Sequence, residues 1–135
     1  MSEFTTVEIN IEDESCLIAA LEELGYKPKV HSTPVNLYGY QGDVRSQKAH
    51  VVISRQQVGS SSNDIGFEKI DGSFVLRISK YDKSSKTFNF SKLKQIYSKH
   101  LITKVIRKNP GKFKLNSLSN DSDGNIRMKI KVSRL

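Results

Sequence analysis

The chain has 135 residues, 36% of them apolar and 27% charged, and its 22 Lys and Arg against 14 Asp and Glu give a formal net charge of +8. That length suits one domain, residues 1–135, large enough to bury a core without disulfides or a metal. No apolar run approaches the roughly 20 residues of a membrane-spanning helix, and a single cysteine, Cys16, excludes a disulfide framework or a paired-cysteine motif.

Thr6–Ile11 alternates, with Val7, Ile9 and Ile11 on one face of a half-buried strand. The acidic cluster Glu12, Asp13, Glu14 then opens a helix, where negative charge complements the dipole. Leu17, Leu21 and Leu24 form its buried stripe, which also takes Cys16 as a small core residue. Gly25 supplies a left-handed cap, and Pro28 prevents continuation. Ala49–Ser54 is apolar enough for a central strand. Ile65–Ile70 and Ser73–Ser79 flank Asp71-Gly72, a two-residue hairpin signal. Tyr81–Asn89 reads as a polar connector. A second helix runs from Ser91 to Lys108, with Leu93, Ile96, Tyr97, Leu101 and Val105 at helical spacing, and Asn109-Pro110-Gly111 stops it. Phe113–Leu118 and Ile126–Val132 make a last hairpin.

These elements predict an α+β fold: a two-layer sandwich, mostly antiparallel sheet with two helices packed on one face. The other face is expected to be polar, with Arg77, Arg127, Lys129 and Lys131 available to it. Charge is unevenly spread. Residues 1–25 hold seven acids and no Lys or Arg, so the other 110 carry +15. An anionic partner such as RNA or DNA fits this excess. So does an AT-rich coding bias, since Lys outnumbers Arg 16 to 6.

Two segments stand out: Tyr38-Gly39-Tyr40-Gln41-Gly42-Asp43 followed by Gln47-Lys48-Ala49, and Gly59 followed by Asn63-Asp64-Ile65-Gly66-Phe67. With Ser2, Phe4 and Thr5, then Ala20-Leu21, Leu24, Gly25 and Tyr26, then Gln95, Tyr97 and His100, and the ending Asp123-Gly124, they carry a resemblance over nearly the whole chain. The sequence resembles the plastid and cyanobacterial family of conserved hypothetical chloroplast reading frames, a domain of unknown function. It departs from the family pattern at Lys99, where an aromatic is expected. The resemblance implies a plastid stroma or a cyanobacterial-type cytosol. The acidic N-terminus is unlike a transit peptide, so a plastid-resident protein would be encoded in the plastid.

Gly59–Asp64 is a candidate ligand loop, because backbone N–H groups in a Gly/Ser turn can form an anion nest, with Lys48 and Arg55 supplying charge. It lacks the GxxxxGK[ST] pattern, and a plain turn capped by Asn63 or Asp64 reads the same way. Tyr38 and Tyr40, two apart on an extended segment, offer a stacking pair for a base or sugar, or pack beneath a sheet edge. Asp43 and Asp64 lack the third member that acid–base chemistry needs. His31, His50 and His100 lack metal-ligand spacing. These residues point to a non-enzymatic binding or adaptor module for a protein partner, with no catalytic residue, cofactor or metal. Its candidate site is Tyr38, Tyr40, Gln41, Asp43, Lys48, Arg55, Asn63 and Asp64. The alternatives are a small phosphate-ligand binder or enzyme using the Gly59–Asp64 loop, and an electrostatic binder of nucleic acid through the basic strand face.

Overall fold

The computed structural model describes residues 3–111 in full, and the backbones of 113–120 and 126–132. The order is β1 (Phe4–Ile11), α1 (Glu14–Glu23), β2 (Lys29–Tyr38), β3 (Val44–Ile53), α2 (Arg55–Val58), β4 (Ile65–Ile70), β5 (Ser73–Ser79), α3 (Lys80–Ser84), α4 (Phe90–Lys108), β6 (Phe113–Asn120) and β7 (Ile126–Val132). β1-β5-β4-β3-β2 form one antiparallel sheet and β6-β7 a separate two-stranded one.

The expected α+β sandwich holds. Alternation puts Ile9, Ile11, Val51, Ile53, Ile65, Phe67, Phe74, Leu76 and Ile78 on one sheet face, buried beneath Leu17, Ala20 and Leu21 of α1 and Leu93, Ile96 and Tyr97 of α4. Cys16 is buried with them, as its place in the stripe predicts. Both helices begin on a side-chain cap: Asp13 accepts from Cys16 N, and Asn89 from Lys92 N. Gly25 follows α1 with φ +96°, and Asp71-Gly72 turns the β4–β5 hairpin with both φ angles positive.

Three expectations need correction. The polar connector after residue 80 contains α3, because Ser79 and Asp82 cap each other: Asp82 N donates to Ser79 Oγ, and Ser79 Oγ to Asp82 Oδ2. The last hairpin stands apart from the main sheet, so Arg127, Lys129 and Lys131 do not share a sheet with Arg77. Arg77 is occupied by Glu68, at 2.6 Å, and by the Thr6 hydroxyl. Finally, Tyr38–Asp43 is no extended segment. A strand absent from the sequence reading, β2, ends at Tyr38, and Gly39–Asp43 is the turn into β3, closed by Gly39 N to Asp43 O and Gly42 N to Gly39 O.

The β2–β3 hairpin gives the second face its cover. β3 pairs with β4 only over Val51–Ile53. Where it departs, His50 Nδ1 accepts the Lys69 N–H at 3.0 Å. Opposite His50, β2 fits four residues, His31–Pro34, between the pairs Val30–Val51 and Val35–Ala49. A bulge of that size bends the ladder sharply. The bent arm returns across the sheet, so that Leu37 and Ala49, both fully buried, rest on Gly66. A Cβ at Gly66 would stand 2.5 Å from Ala49 Cβ and 2.9 Å from Leu37 Cδ2, so only glycine admits this approach. Further along, the Arg45 guanidinium lies 5.6 Å from the Phe4 ring centroid on β1.

Candidate functional site

The arm brings the two notable segments into one structure. Asp64 N donates to Tyr38 O, and Asp64 Oδ2 accepts from Tyr38 N, both at 2.9 Å. Asp64 Oδ1 takes Arg55 N at 2.8 Å. Asn63 Oδ1 accepts from Tyr40 N at 2.9 Å, while its Nδ2 donates to Ser79 Oγ and Asp82 Oδ2. Asp82 also receives Asn63 N through Oδ2 and the Thr87 hydroxyl through Oδ1. Five polar residues here are buried: Ser62, Asn63, Asp64, Ser79 and Asp82. Burial alone would disfavour so many, but each carries internal bonds that replace water.

The two buried carboxylates respond differently. Burial pushes Asp64 above the usual carboxylate range, against its bonds to Tyr38 and Arg55. Burial also acts upward on Asp82, yet bonds from Ser62, Asn63, Ser79 and Thr87 outweigh it and hold this group below that range. The network is therefore anchored on a charged Asp82.

Each of the eight candidate residues has a definite place. Tyr38 and Lys48 lie on the outer side of the hairpin, exposed. Tyr40 and Gln41 form its turn, with Gln41 Nε2 bonded to the Tyr40 hydroxyl at 3.1 Å. Asp43 pairs with Arg45 at 2.6 Å, and the Arg45 bond holds its carboxyl below the usual range. This pair packs over Gly39, where a Cβ would lie 2.8 Å from Arg45 Nε. Asn63 and Asp64 sit underneath the turn, and Arg55 joins them through its backbone. Asp43 and Asp64 thus face different partners and share no proton.

The Gly59–Asp64 loop offers little to an anion. The N–H groups of Gly59, Ser62, Asn63 and Asp64 donate to Arg55 O, Gly59 O, Asp82 Oδ2 and Tyr38 O respectively. A nest needs such groups converging on open space. Sequence reasoning missed Ser62, Ser79, Asp82 and Thr87. One signal was available: Ser79 followed by Asp82 has the S-x-x-D spacing of a capping box.

Outside the knot, Tyr38 is 47% exposed and Val44 64%. They are direct cross-strand partners at the hairpin's end. Two large side chains so open to water, side by side on an arm pinned from beneath, are the least structural feature of the site.

A family model described as "Protein of unknown function (DUF1257)" matches residues 20–129. The chain belongs to this family. The family match takes in the β2–β3 hairpin, Asn63 and Asp64, the end of α1 and all of α4, and its description assigns no function. No curated protein and no solved structure matches the chain.

Proposed function

We propose that the chain is a non-enzymatic binding or adaptor module that docks a protein partner through the tip and outer side of the β2–β3 hairpin. The observation that carries this reading is the exposed Tyr38–Val44 pair on an arm whose turn is fixed by buried hydrogen bonds. Aromatic and aliphatic side chains on a rigid platform bury area in a complex without a large ordering cost. Gln41 and Lys48 beside them would form a polar rim. On the family resemblance, the compartment in which this takes place is a plastid stroma or a cyanobacterial-type cytosol.

The test is parallel capture by the tagged wild-type chain and a Tyr38→Ser/Val44→Ser variant, from nuclease-treated stroma or cyanobacterial lysate, read by mass spectrometry. A stoichiometric partner held by the wild type and lost by the variant is expected. The variant's Tm should stay within about 2 °C, as is usual for exposed positions outside the core. Equal recovery by both proteins would refute the reading.

A further inference from the structure

On the helical layer, α1 and α4 border an open cleft of about 320 Å³. Its walls include Ala19 from α1 and Lys104, Arg107 and Lys108 from α4; among the described residues no carboxylate lines it, although Asp13 and Glu23 stand against the lining Lys104 and His100. His100, Lys104, Arg107 and Lys108 fall at i, i+4, i+7 and i+8 of one helix, so they share a face. They are not equally committed. His100 Nε2 stands 3.1 Å from Glu23, whereas Lys104 Nζ is fixed 2.6 Å from Asp13 Oδ2 and 3.2 Å from Ser15 Oγ. An ammonium has three donors, which leaves Lys104 one for the cleft. Arg107 and Lys108 are exposed and have no bonded partner among the described residues.

Cations in a last helical turn offset the dipole. That role asks nothing of Lys104, which stands a turn earlier and is held rigidly against α1, and it does not call for a concavity. We propose that this cleft binds the phosphate group of a small phosphorylated metabolite. The Arg107 guanidinium matches two phosphate oxygens with its planar fork, Lys108 supplies a point charge, and Lys104, already paired with Asp13, adds its remaining N–H. Ala19 and the buried Cys16 beside it offer a small apolar wall for the ligand's body. The volume is at the lower end for small-molecule sites, which suits a single sugar phosphate better than a dinucleotide. The site shares no residue with the hairpin, so it stands or falls separately from the docking reading.

The test is an NMR titration of the full-length 15N-labelled chain with sodium pyrophosphate at constant ionic strength. Saturable shifts confined to the amides of Ser15, Ala19 and residues 103–108 are expected. Arg107→Gln/Lys108→Gln should weaken the affinity at least tenfold, and Ala19→Glu, which places a carboxylate in the cleft, should abolish binding while leaving the rest of the spectrum unchanged. Non-saturating shifts, shifts spread equally over Lys83, Lys86 and Lys94, or an unchanged affinity in the double variant would overturn the proposal. So would a response to an RNA oligomer with none to pyrophosphate, since that belongs to a surface tracking a polyanion.

Discussion

Asn63 shows how much a single side chain does in this fold. Its carbonyl oxygen holds the hairpin turn through Tyr40, and its amide reaches Ser79 and Asp82 at the start of α3. Replacing it by Ala would leave a partly buried N–H at Tyr40 unpaired and the Asp82 carboxylate short of a donor, at a cost of about 2–3 kcal/mol. Asn63→Asp should be worse at neutral pH, because a second carboxylate would face Asp82, and part of the loss should return on acidification. Chemical denaturation of both variants at two pH values checks the order. The sequence offered Asn63 and Asp64 as donors in a Gly/Ser loop. Their partners were hidden because the bonds run 23 and 26 residues back, to the backbones of Tyr40 and Tyr38, and 19 forward, to Asp82. Side chains bonding to distant backbone leave no periodic trace.

Among the elements, those with clean periodicity were legible and those bent by a bulge were not. The stripes of α1 and α4 and the alternation of β1 and β5 follow directly from one-sided burial, and β4 was legible from the Asp71-Gly72 turn that follows it. β2 was invisible because Pro34 and the His31–Pro34 bulge break its alternation, and that irregularity is what folds the hairpin across the second face. α4 also ties itself to the entry of α1. The Tyr97 hydroxyl accepts from Glu12 N at 3.2 Å and Asp13 N at 3.1 Å. Tyr97→Phe keeps the packing but deprives both N–H donors of their shared acceptor, so it should lower stability by about 1–2 kcal/mol with the core intact. Lys99→Met, which removes a partly exposed pair with Glu23, should cost less than about 1 kcal/mol. Comparing the two by urea denaturation distinguishes a cap from a surface ion pair.

For the whole molecule, the uneven charge has a partial internal explanation. Asp13 pairs with Lys104, and Glu23 with Lys99 and His100, so the acidic first segment is the counterpart of the basic fourth helix. The Lys104 bond holds Asp13 well below the usual carboxylate range, and the Lys99 bond lowers Glu23. Groups whose folded pKa is depressed contribute stability above their unfolded value near 4 and lose it as pH falls through the folded value. Asp64 has the opposite sign, since its raised pKa makes the folded state hold a proton more readily. Stability should therefore fall below about pH 4. The Asp13→Asn/Glu23→Gln variant should start lower at pH 7 and show a shallower acid loss in Tm. No helix among the described residues is long and apolar enough to cross a membrane.

Asn63 and Asp64 hold the hairpin turn from beneath, and the proposed docking surface depends on that hold. Native-state hydrogen exchange at the Tyr38 and Tyr40 amides measures this directly. Both are expected to be protected to a level close to the core strands in the wild type, with Tyr40 protection collapsing in Asn63→Ala while the amide of Phe67 in β4 keeps most of its own. Exchange of Tyr40 at the rate of an open loop in the wild type would contradict the pinned hairpin and the docking surface built on it.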